Sequence, residues 1–301
     1  MNTMRALAFI VSVLVVAVTS CSQTNGDRNG LAALNNAIEV TNVPPPQAGA
    51  FILPRLGGEA ATNQSQRLEH FRQLPKRVTF EARTFKARGE NLSLRYLLFT
   101  PTDAASQAHP LVLSLHGGGP RHRFEDLLEP NAPGFAYGLG RLVSPETQKE
   151  HPCFVVAPWS GERGWDESNL RLVLALLDHL QTEFKIDHAR IYVTGQSMGG
   201  FGTWAIITQA PERFAAAVPI CGGGDPHQAA AAKSLPIWAF HGSGDTVVPV
   251  EETRRMINAL VEFGGHPSYW EYKGATHADT AERAYCEPKL IEWMFAQRRA
   301  Q

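Results

Sequence analysis

The chain has 301 residues, 44% hydrophobic and 19% charged, with 28 basic side chains against 29 acidic ones. The composition is globular, and a net charge of −1 argues against nucleic acid as a partner, since its binders carry a basic excess. The length suits one large α/β domain or two small ones, and no segment repeats at a fixed period.

Residues 1–20 read as a secretory signal peptide. Arg5 supplies a positive start, an apolar stretch from Ala6 to Val18 is broken only by Ser12, and small residues precede Cys21. Such a helix spans roughly 20 Å, short of the roughly 30 Å hydrocarbon core, so a permanent membrane helix is the weaker reading. "VTSC" at 18–21 is similar to the bacterial lipobox, and the expectation is a lipid anchor at Cys21 as the sole membrane attachment. Ordinary cleavage after Ser20 is the alternative, and either route exports the protein. Residues 21–75 hold a polar stretch and then "VPPPQ", which reads as a tether and N-terminal extension. Residues 76–301 read as one folded domain. Cys153, Cys221 and Cys286 match no metal spacing, and no essential disulfide is expected among them.

From Val78 onward "RVTFEARTF" and "LSLRYLLFT" alternate around the turn "KARGEN", which predicts a hairpin. Short strands are predicted at 111–115, 154–157, 190–195, 215–220, 237–242 and 268–272. Helices are predicted near 124–143, 167–184, 198–209, 250–263 and 281–297. In the second of these Leu170, Val173, Leu174, Leu177 and Leu180 recur with a 3.6-residue period. A hairpin followed by repeated βα units implies a mostly parallel central sheet with helices on both faces, an α/β class. Reactive groups then belong on loops beyond the C-terminal strand ends. The interval from Gly222 to Leu235 is 14 residues, room for one short helix and no large cap domain.

One segment, "YVTGQSMGG", sets Ser197 between Gly195 and Gly199 at the join of a predicted strand and helix. Gly-x-Ser-x-Gly there is the signature of a tight turn that exposes a nucleophilic hydroxyl, with a helix N-terminus beside it. A serine needs a base, and the base an acid to orient it. Downstream, Asp245 in "HGSGDTVVP" and His277 in "GATHAD" fall in predicted loops at the matching sheet end. Asp225 is the rival acid; His241 and His266 are rival bases. A local hydrogen bond suits His241 better, a surface turn suits His266, and Asp279 reads as a helix cap. Oxyanion donors are expected from Gly118 or Gly119 in "HGGG", together with the Met198 amide. Trp159 and Trp165 are candidate substrate contacts. Phe201 and Trp204 read as core, and Arg121 and Arg123 as solvated surface. No histidine pair has metal-ligand spacing, so neither metal nor cofactor is expected.

The ordered set "HGGG", "RIYVTGQSMGG", "VPICGGGD", "HGSGDTVVP" and "GATH" resembles the α/β-hydrolase superfamily across about two-thirds of the chain. It is most similar to the carboxylesterase and feruloyl-esterase-like branch, which also holds secreted peptidases and polyhydroxybutyrate-depolymerase-like enzymes. The resemblance implies Ser197, Asp245 and His277 as a triad in a hydrolase domain over 76–301. It implies hydrolysis of small or polymer-borne carboxylic esters, with a peptidase, or a tethered non-catalytic binder, as alternatives. "PRHRFED" after the oxyanion glycines departs from the acidic and basic run of many relatives.

Overall fold

Alternation of apolar residues along central strands buries side chains on both faces, and the computed structural model shows what covers each face. It describes residues 71, 73, 78–87, 92–118, 123–128 and 135–299. The expected signal peptide, Cys21 and nearly all of the tether lie outside the described residues. So do Gly119 and Arg121.

The strands are β1 (Glu81–Lys86), β2 (Ser93–Phe99), β3 (His109–Leu115), β4 (Phe154–Pro158), β5 (Ile186–Gln196), β6 (Ala216–Ile220), β7 (Trp238–Gly242) and β8 (Ser268–Tyr272). They form one sheet in the order β1-β2-β4-β3-β5-β6-β7-β8. The β1–β2 hairpin is antiparallel, as is β2 against β4, and every later pairing is parallel. Central β3 and β5 pair from Leu111↔Ile191 to Leu115↔Gly195, which brings the ends of "LHGG" and "TGQS" side by side.

Helices α1 (Phe135–Leu142), α2 (Pro145–Glu150), α3 (Glu167–Glu183), α4 (Met198–Gln209), α5 (Glu251–Glu262), α6 (His277–Cys286) and α7 (Pro288–Ala296) flank the sheet. Leu111, Leu113, Leu115, Ile191 and Val193 bury against α3, α4 and α5. Val112, Tyr192, Val218, Trp238 and Phe240, the intervening set, bury against α1, α6 and α7. This is the period-two pattern of strands covered on both faces. The periodic stripe of α3 is buried as expected, and Asp166 caps the helix by accepting from the Asn169 amide at 2.7 Å. Such a cap is worth about 1 kcal/mol.

Several boundaries differ from expectation. The helix predicted over 281–297 is two helices, because Pro288 removes an amide donor and keeps Glu287 (φ −59°, ψ 116°) out of helical backbone. His277, expected in a loop, is the first residue of α6. The helix predicted near 124–143 is a 3₁₀ turn over Phe124–Leu128 followed by α1; Pro130 and Pro133 stand between them in the sequence. Helix α2 was missed, although Ser144 before Pro145 is a start signal and its side chain accepts from the Thr147 amide. The Gly222–Leu235 interval holds one 3₁₀ helix, Pro226–Ala232. Among the described residues no helix is long and apolar enough to cross a membrane.

Candidate active site

Ser197 follows β5 and precedes α4 with φ 58° and ψ −121°, a left-handed backbone that a non-glycine residue adopts only under constraint. Its amide donates to Ile220 O at 2.9 Å, and its side chain makes no capping bond to the helix. The flanking glycines are explained by contact. A Cβ on Gly195 would lie 2.4 Å from Gly199 O, and one on Gly199 would lie 2.0 Å from Leu115 O. Gly199→Ala is therefore expected to force β3 and α4 apart, at a cost of about 1–3 kcal/mol. Thermal melting beside wild type reads this, and an unchanged melting temperature would contradict it.

His277 and Asp245 meet. His277 Nδ1 lies 2.6 Å from Asp245 Oδ2, so the ring donates there and presents the Nε2 lone pair elsewhere. The imidazole is 17% exposed, whereas the carboxylate is fully buried although the Asp245 backbone reaches the surface. The other oxygen, Oδ1, accepts from the amides of Val247 (2.8 Å) and Val248 (2.9 Å). Burial alone would push the Asp245 carboxyl up. Hydrogen bonds from His241 and His277, the His277 charge and the Val248 amide overrule it, holding Asp245 well below the usual carboxylate range.

His277 is placed by α6. Thr276 caps the helix, its hydroxyl accepting from the Asp279 amide while Asp279 accepts from the Thr276 amide at 3.1 Å. Asp279 therefore caps, as expected, from the third helical position. The His277 carbonyl accepts from Gln196 Nε2 at 3.4 Å and lies 3.8 Å from Cys221 Sγ. A residue adjoining Ser197 thus ties the elbow to α6, a role its sequence position alone did not reveal. The rivals are employed otherwise. Asp225 caps Pro226–Ala232 by accepting from the His227 amide, and His266 is exposed. His241 is buried, with ring nitrogens at Thr253 Oγ1, Val248 O and Asp245 Oδ2.

The β3 end is clamped from β4. His116 Nδ1 donates to Gly117 O at 2.8 Å, so its Nε2 is free to accept the Ser160 amide at 3.0 Å. Trp165 Nε1 donates to His116 O at 2.9 Å, and Asn169 Nδ2 donates to the carbonyls of Ser160 and Gly164. Gly118 stands beside the helix start, since a Cβ there would lie 3.7 Å from Met198 Cβ. Met198 opens α4, where the first amides of a helix have no partner within it. Trp165, expected at the substrate, is buried against His116 and braces the glycine loop from behind. Trp159 is half-buried beside Phe124 and Arg95. Trp204 is core, and Arg123 pairs with Asp126 on the surface.

Cys153, Cys221 and Cys286 are all buried. Cys221 has φ 47°, and burial followed by the Asp245 charge pushes its thiol well above the ordinary range. Cys221, His241 and Asp245 bring three donor atoms within 4.8 Å of one another. Cys221 Sγ lies 3.8 Å from the His277 carbonyl, and both His241 nitrogens and both Asp245 oxygens have partners outside the cluster.

The sheet order, the elbow and the likenesses to known proteins define the class: the chain has the α/β-hydrolase fold and is similar to esterase-like proteins of that fold. Residues 160–236, which include the elbow, match the prolyl oligopeptidase family. A crystal structure of a thermostable esterase is 38% identical with a TM-score of 0.67, over 73% of this chain and 63% of that one. The bifunctional acetylxylan esterase/xylanase XynS20E of Neocallimastix patriciarum is 27% identical over 53% of this chain and 22% of its own length. Probable feruloyl esterase C of Aspergillus terreus is 25% identical over 54% of this chain and 58% of its own. The chain thus spans less than two-thirds of each of these relatives.

Proposed function

We propose that the protein is a serine hydrolase that cleaves carboxylic esters through an acyl-enzyme. The observation that carries this reading is the 2.6 Å His277–Asp245 contact at the sheet end that also bears Ser197 in a left-handed elbow. Ser197 Oγ attacks the acyl carbon and His277 Nε2 takes its proton. Asp245 holds the tautomer and offsets the imidazolium charge. The amides of Met198 and of Gly118 or Gly119 face the developing oxyanion. The tetrahedral intermediate collapses with return of that proton to the leaving alcohol, and water then repeats the sequence on the acyl-enzyme. Trp159 is the candidate contact for the acyl or alcohol group.

The esterase-named relatives favour esters, and the prolyl oligopeptidase match keeps a peptidase as the second reading. Matched ester and amide substrates with a common acyl group separate the two. The ester is expected to turn over with the higher kcat/KM, and a preference for the amide would overturn the ester assignment. The reading extends to an exported protein anchored by lipid at Cys21. Labelled fatty acid is expected to enter the protein in bacteria and to vanish with Cys21→Ala. Export without label would point to plain cleavage.

A further inference from the structure

The Asp245 carboxylate is shared between two histidines. Oδ2 faces His277 Nδ1 at 2.6 Å and His241 Nε2 at 3.2 Å. His241 sits on β7, entirely buried, and is held from the other side by Thr253 of α5 at 2.7 Å from Nδ1. Thr253 Oγ1 also lies 2.6 Å from Gly222 O, which places the ring beside the turn after β6. The protonation of Nε2 follows from its neighbours. Val248 O at 3.0 Å and Asp245 Oδ2 can only accept, so Nε2 must carry a hydrogen.

We propose that His241 is a positioning residue for the hydrolytic reaction: its Nε2–H, shared between Val248 O and Asp245 Oδ2, fixes the carboxylate that orients His277 and limits the charge it presents to that base. The inference rests on the triad reading above. The Val247 and Val248 amides hold only Oδ1. Without His241, the oxygen that contacts His277 would have no second donor from the β7 side. Apart from Cys221, the charged or titratable groups around the ring pair elsewhere. Glu271, its register neighbour on β8, binds Arg254 of α5 and accepts from Tyr269. Glu252 of α5 pairs with Arg255. Cys221, after β6, lies within 4.8 Å of both His241 and the Asp245 carboxylate; burial and that charge hold its thiol protonated, so it is a neutral neighbour of the same carboxylate. His241 is thus directed at the acid of the site.

The test compares His241→Leu, which removes the donor, with His241→Gln, which can place an N–H near the original Nε2. His241→Leu is expected to lower kcat about 10- to 100-fold, the worth of a hydrogen bond to a charged group, with little change in KM. Its acid limb of kcat/KM is expected to move to higher pH, because Asp245 then presents more of its charge to His277. His241→Gln is expected to recover a large part of both effects. A purely structural role would lower the melting temperature without moving that limb. Equal losses in both variants with the limb at its wild-type position would overturn the proposal. If His241→Leu does not fold, Thr253→Val serves, loosening the ring at near-constant volume. The limb is expected to shift in the same direction by less, and an unmoved limb overturns the proposal. Ser197→Ala run in parallel separates the levels: turnover surviving there refutes the triad itself, whereas its loss beside unmoved His241 variants refutes only the role of His241.

Discussion

Ser197→Ala is expected to abolish ester turnover and labelling by a fluorophosphonate while leaving the melting temperature near that of wild type. The hydroxyl makes no capping bond, so its removal breaks no helix cap. The elbow is held by backbone, through the Ser197 amide on Ile220 O and the Phe201 amide on Ser197 O, and alanine preserves both bonds. What disappears is the atom that forms the acyl-enzyme. A residual rate of 10³–10⁴ over water is the ceiling that oxyanion donors and binding alone sustain. Near-wild-type turnover in this variant would remove Ser197 from the mechanism.

Asp245→Asn is expected to lower kcat on the order of 10⁴-fold. An amide opposite His277 Nδ1 can donate where the carboxylate only accepts. The ring then takes the other tautomer and Nε2 no longer accepts the serine proton. The same loss in Asp225→Asn in place of Asp245→Asn would transfer the role of acid. The variant also has a linkage signature. A carboxyl held below its ordinary value in the folded state stabilises the protein above the unfolded value of about 4, and this contribution is lost as pH falls through the folded value. The stability margin of wild type over Asp245→Asn should therefore shrink on acidification below about pH 4. Denaturant melts at pH 7 and pH 3 measure it, and a margin independent of pH would contradict the account. Because Asp245 stays ionised through the mildly acidic range, protonation of this carboxylate is not expected to limit turnover there.

The sheet was legible because its strands are buried on both faces, giving short apolar runs separated by helical periodicity. The elbow was legible because its glycines answer a steric demand made within a few residues of chain. Asp245 and His277 could be placed because each falls in the segment just after a predicted strand, in the order Ser, Asp, His. What escaped was whatever depends on partners remote in sequence. Trp165 reads as a candidate substrate contact until its indole is seen donating to His116 O, 49 residues away. Gln196 has no role legible in the sequence, because its partner, the His277 carbonyl, is 81 residues away. The split at Pro288 and the start at Ser144 were local signals outweighed by apolar periodicity.

In the proposed mechanism the two sides of the sheet carry different halves of the reaction. The helix that follows the nucleophile packs with α3 and α5, whereas the helix that opens with His277 packs with α1 and α7 on the reverse side. Alignment between attacking oxygen and receiving nitrogen is therefore a property of how two layers are seated on a common partition. Among the described residues the ties between α6 and the strands beside the elbow include Gln196 reaching the His277 carbonyl and Tyr285 bonding Thr194 of β5 at 3.0 Å. A void opened deep beneath either layer, many residues from the triad, can shift that seating and so alter turnover. Tuning this enzyme is as much a matter of carpentry in its two cores as of chemistry at its mouth.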